Sequence, residues 1–135
     1  MTTEEIRKIL GKDWAMQTLD VWRRAGYQCE YCGKRMTEDP DAYYYDTQMD
    51  HIVPDMGNGF DNFALACKAC NFIKSDINFA QGDSSRASII GRASAYIKEK
   101  RDFNRTRLQA DLKLLRMLDD LESTNSMLTT SSAPR

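Results

Sequence analysis

No stretch of this 135-residue chain approaches the ~18 consecutive apolar residues that a bilayer-crossing helix requires. It also lacks a charged-then-apolar leader at its N-terminus, so the sequence reads as a soluble, cytoplasmic protein with no membrane partner. An excess of either charge is nearly missing as well, the formal net charge being -1. That near-neutrality argues at first sight against a partner as acidic as DNA. Histidine occurs once, at position 51, so any chemistry that needs an imidazole at neutral pH rests on that residue. Internal repeats are absent. What remains is a composition of 41% hydrophobic and 29% charged residues, enough for one domain with one modest core.

The net charge conceals a split. Residues 1–83 carry 9 Lys/Arg against 14 Asp/Glu, whereas residues 84–135 carry 10 against 6. The second part could follow a phosphate backbone, and part of the acidity in the first could belong to a cation site. Thr2 and Glu5 form a capping-box pattern opening a helical flank over 2–25, broken near Gly11 with Asp13 placed as the next cap. Ala15, Leu19 and Trp22 give that flank a core-facing side, and Gly26 ends it. Residues 27–46 read as loop and knuckle. Tyr43 to Val53 has strand composition, Gly57-Asn58-Gly59 is a turn, and a second short strand is expected around 63–66. A short helix should run from about Cys67 or Lys68 to Ile77.

A second helical flank spans 84–122. It is expected as two helices, one capped by Asp83 and Ser84 with Ile89, Ile90, Ala93, Tyr96 and Ile97 on its apolar face, ending near Phe103, and a last one carrying Leu108, Leu112, Leu115 and Leu118. The leucine stripe is too short for an independent coiled coil and suits docking on the core or weak self-association. Residues 123–135 lack periodicity and are expected to be disordered. The expected fold class is therefore α+β: one domain over 1–122 with a core at about 27–78 and helical flanks.

Cysteine usage is the sharpest signal. Cys29 and Cys32 form one Cys-x-x-Cys pair, and Cys67 and Cys70 form another, with 34 residues between the pairs. Two intervening residues let one tight turn aim two thiolates at one ion, and two such turns complete the tetrahedral sulfur shell that zinc accepts. With all four positions filled by sulfur, that zinc would be structural, with no open site for water. Two disulfides in a secreted protein are the competing account, disfavoured by the missing leader.

Between and after the pairs stand Asp50-His51-Ile52-Val53-Pro54, the Gly57-Asn58-Gly59 turn, Asn62, and then Asn71 and Lys74 directly behind Cys70. This order resembles the HNH endonuclease family, the ββα-metal nucleases, over roughly residues 27–75. The resemblance implies a zinc-stabilised, treble-clef-like ββα core and a metal-dependent hydrolysis of phosphodiesters in double-stranded DNA. By that resemblance His51 is the general base, Asp50 and Asn71 hold a catalytic divalent ion, and Asn62 fixes the loop that orients His51 or touches substrate. The third position of the name is Asn71 here rather than histidine. An oxygen pair from Asp and Asn suits Mg²⁺ or Mn²⁺ better than zinc.

Neighbouring side chains on a regular strand point to opposite faces, so Asp50 and His51 can share a site only where the strand ends or bulges. Lys74 on the short helix is placed to contact a phosphate or else is a solvated helix lysine, and Lys98, Lys100, Arg101, Arg105 and Arg107 form a basic cluster for the DNA backbone, or else a solvated helix face. One such site nicks one strand. Cutting both would need a homodimer, two binding events or a partner protein. The alternative is a non-catalytic zinc module that binds nucleic acid or protein, which accounts for the cysteines but not for Asp50, His51, Asn62 and Asn71 together.

Overall fold

A computed structural model describes residues 1–11, 16–82 and 85–129. Two helices open the chain, α1 over Thr3–Leu10 and α2 over Met16–Arg24. The capping box is present, with Thr2 and Glu5 each accepting from the other's backbone, and Gly11 closes α1. Asp13 and Ala15, expected as cap and core residue of α2, lie outside the described residues, as do Asp83 and Ser84. Leu19 and Trp22 are buried. Gly26 follows α2 at φ 66°, a conformation that costs glycine little.

Where a strand was expected from Tyr43, the chain forms a short helix α3, Pro40–Tyr44. Asp39 caps it by accepting from the Ala42 amide, and Pro40 has its φ set for a first helical turn, so local capping overrides the strand preference of the tyrosines. Strand β1 follows only over Thr47–His51, and pairs antiparallel with β2, Phe63–Cys67. The register sets Asp50 opposite Ala64 and His51 opposite Phe63. A single 3-10 turn, Phe60–Asn62, leads into β2. Helix α4, Lys68–Lys74, starts directly from β2, one turn shorter than the sequence suggests, because Ser75 turns out at φ 52°.

The two C-terminal helices expected from the sequence are one, α5, over Arg86–Thr129. Nothing between Phe103 and Leu108 breaks a helix, and the segment contains neither proline nor glycine. The helix also takes in residues 123–129, expected to be disordered; Thr124 bonds back to the Asp120 carbonyl at 2.9 Å.

Contacts divide the chain into two compact units, Met1–Lys98 and Glu99–Arg135. The first contains a core in which Val21 and Trp22 of α2, Ala64 to Ala66 of β2, Ile52, Met36 and Tyr31 meet Ile89, Ala93 and Ile97 at the start of α5. The 3.6-residue period read in the sequence thus selects the residues of α5 that pack. In the second unit Leu108, Leu112, Leu115 and Leu118 are all exposed.

Candidate active site and metal centre

The four cysteines converge. Their Sγ atoms all lie within 4.8 Å of one another, and Cys32 and Cys67 are 3.7 Å apart. A tetrahedral zinc with bonds of about 2.3 Å places its sulfurs about 3.8 Å apart, so the cluster fits a single zinc ion. The local backbone explains the convergence. Gly33 turns at φ 78° behind Cys32 and donates its amide to the Cys29 carbonyl at 2.8 Å, while Cys67 is the cap of α4 and its sulfur accepts from the Cys70 amide at 3.5 Å.

Held against each other, the thiols share protons. Hydrogen bonding with Cys67 pushes the Cys29 thiol up to about 11, and Cys67, as the common acceptor from Cys29 and Cys70, falls far below the usual thiol range. Four thiolates so near one another would require a cation, and a zinc dication would supply that charge. Glu30, inside the first pair, bonds the Leu65 amide at 2.8 Å and Arg86 at 2.7 Å, tying the knuckle to β2 and to α5.

A cavity of about 610 Å³ opens at the end of β1, lined by Asp50, His51, Asn58 and Asn71 together with Asp55 and Asp76. Asp50 and His51 still obey strand alternation: Asp50 is 5% exposed, whereas the imidazole is on the exposed side. Both border the cavity because β1 ends at His51. The His51 ring packs on Phe63 across the strands at 4.9 Å between centroids, and its Nε2 lies 2.8 Å from Asn58 Oδ1.

Asn62 borders a different cavity, but fixes the loop that carries Asn58. Its Oδ1 accepts from the Val53 amide at 2.9 Å, and its Nδ2 donates to the carbonyls of Val53 at 3.0 Å and Gly57 at 2.9 Å. Arg24 clamps the same loop from α2, donating to the Phe60 carbonyl at 2.8 Å and lying 4.1 Å over the Phe60 ring.

Lys74 departs from its expected place. It is fully buried, with Nζ 3.1 Å from Asp50 Oδ2 and 3.0 Å from the His51 carbonyl. The expectation of a phosphate contact is therefore corrected: three residues beyond Asn71, this position faces the sheet, and an ammonium enclosed there is out of reach of a phosphate. Tyr31 donates its hydroxyl to the same carboxylate oxygen, Asp50 Oδ2, at 2.5 Å. Burial, and then the Asp50 charge, hold the Tyr31 phenol far above its usual range, so it remains protonated.

Lys98, Lys100, Arg101, Arg105 and Arg107 are all exposed on α5, and Arg105 is 3.6 Å from Asp102. Residues outside the sequence-derived set are Tyr31, Asn58, Glu30 and Arg86. No spacing rule points to them, since each acquires its partner only through the tertiary fold.

Residues 29–76 match the family model for HNH endonuclease. This segment is similar to an HNH endonuclease domain. It coincides with the two cysteine pairs, the strand pair and α4, so the family match and the geometry single out the same residues. The CRISPR-associated endonuclease Cas9 of Corynebacterium diphtheriae is 31% identical over 86 residues, which take in 57% of this chain. The chain spans only 7% of that relative's length. No solved structure matches the chain. Among the described residues no helix is long and apolar enough to cross a membrane.

Proposed function

We propose that the HNH segment is a metal-dependent endonuclease that hydrolyses one phosphodiester of DNA per site, with His51 as the base that activates water. The observation that carries this reading is that Asp50, His51 and Asn71, from a strand end and a helix, border one open cavity. Hydrolysis of a phosphodiester needs a base for the water and a positive charge for the developing oxyanion. With Asn58 Oδ1 accepting from Nε2–H, the other ring nitrogen, Nδ1, is the one with a free lone pair. Asn62 keeps that arrangement by bracing the 53–62 loop.

A carboxylate and an amide oxygen are donors suited to Mg²⁺ or Mn²⁺, which would supply the charge that stabilises the phosphorane. The cysteine cluster would hold a structural zinc. Lys98, Lys100, Arg101 and Arg105 are the proposed contacts to the duplex backbone, and cutting both strands would call for a second copy or a partner protein.

One observation favours a second reading, a non-catalytic zinc module. The ion pair with Lys74 and the bond from Tyr31 account for the Asp50 carboxylate without any metal. Incubating supercoiled plasmid with Mg²⁺ or Mn²⁺ separates the two. The nuclease reading expects nicked circles from the wild type and none from His51→Ala at unchanged zinc content. Equal nicking by both proteins, or none by either, contradicts it.

A further inference from the structure

The two metal sites of the proposed nuclease are joined by one side chain. Tyr31 lies within the first cysteine pair, between two sulfur ligands, yet its ring is buried in the core and its hydroxyl ends on Asp50. Among the described residues, two buried side chains, Tyr31 and Lys74, hold the Asp50 carboxylate. Tyr31 and Lys74 both engage Oδ2, at 2.5 and 3.1 Å, while Oδ1 has only a long approach of 3.4 Å from the Lys74 ammonium. The carboxylate is thus held by one edge, and Oδ1 is the oxygen least engaged by protein.

We propose that Tyr31 is a positioning residue that couples the cysteine knuckle to the divalent-ion site, by fixing Asp50 Oδ2 so that Oδ1 faces the cavity. This rests on the nuclease reading above. The hydroxyl matters because of its competitor. Without it, the ammonium becomes the sole buried partner of Asp50, and the carboxylate is free to turn both oxygens toward Lys74 and away from a cation. Partners of this kind, which touch a metal ligand rather than the metal, typically change metal affinity or activity by roughly 10- to 100-fold when removed.

The test is Tyr31→Phe in the full chain, which deletes one oxygen and keeps the ring that fills the core. Mn²⁺ binding is measured by titration calorimetry, zinc by release to a chelating dye, and plasmid nicking across a range of Mn²⁺ concentrations. The expected result is a Kd for Mn²⁺ raised about tenfold or more, one zinc per chain retained, and nicking restored toward the wild-type rate at saturating Mn²⁺. His51→Ala, by contrast, should not be restored by the ion.

An unchanged Mn²⁺ affinity in Tyr31→Phe, with the wild type binding and nicking, overturns the coupling and leaves the nuclease reading standing. So does loss of zinc in that variant, which would make Tyr31 a brace of the knuckle alone. A wild type that neither binds Mn²⁺ nor nicks overturns both. Should Tyr31→Phe not fold, the wild type provides a second measurement. The buried hydroxyl proton should give a slowly exchanging, far-downfield NMR resonance that moves on addition of Mg²⁺, and a resonance indifferent to saturating Mg²⁺ refutes the coupling.

Discussion

Replacing Lys74 with methionine removes the ammonium from a buried ion pair while keeping most of the side chain's volume. The ammonium is wholly enclosed and Asp50 nearly so, and Nζ lies 3.1 Å from Oδ2. The variant therefore has a buried carboxylate whose strongest remaining partner is Tyr31, and a His51 carbonyl that has lost a donor at 3.0 Å. Removing one partner of a buried pair costs about 3–5 kcal/mol, because the remaining charge has no compensation. Against a total stability of about 5–15 kcal/mol for a domain of ordinary size, that is a large share.

Urea denaturation of the zinc-loaded proteins, followed by circular dichroism, measures it. Lys74→Met should unfold at a much lower urea concentration than the wild type. In the double variant with Asp50→Asn, which removes the stranded charge, the midpoint should recover part of the way, so that the two substitutions are clearly non-additive. An unfolding free energy for Lys74→Met within about 1 kcal/mol of the wild type, or strict additivity, would show that the pair is not buried as described.

Cys67→Ser removes a sulfur that belongs both to the metal cluster and to the cap of α4, so it should abolish stoichiometric zinc binding and leave the protein largely unfolded at 37 °C in circular dichroism. Zinc-replete Cys67→Ser with wild-type ellipticity would count against the cluster's structural role. Asn62→Ala deletes three hydrogen bonds that hold the 53–62 loop, and should slow nicking at least tenfold through the displaced Asn58 and His51 while zinc stays bound. Wild-type nicking by Asn62→Ala would mean that the loop is held by other contacts.

Features set by local chemistry are legible in the sequence. The Thr2–Glu5 capping box, the Gly26 stop, the second strand after the glycine turn and the apolar face of Ile89, Ala93 and Ile97 depend on neighbours a few residues away, and they stand where the pattern puts them. The cysteine cluster was readable for a similar reason, since two-residue spacing constrains sulfur geometry directly. At Tyr43 the strand composition is overridden by a local device, the Asp39-Pro40 helix start. Lys74 shows a different limit. A lysine on a short helix looks solvated in one dimension, and only the packing of α4 on β1 turns it toward Asp50. Tyr31 is harder still, because its partner is 19 residues away and the bond exists only once the knuckle has closed.

The proposed hydrolysis depends on Asp50 and Asn71 holding one divalent ion beside the His51 ring. Anomalous scattering from crystals grown with Mn²⁺ tests it most directly, since manganese and zinc can be distinguished by wavelength. A manganese peak contacted by the Asp50 carboxylate and the Asn71 amide oxygen is expected, separate from a zinc peak among the four cysteines. Manganese bound only at Asp55 and Asp76, or found nowhere but in the cysteine cluster, would contradict it.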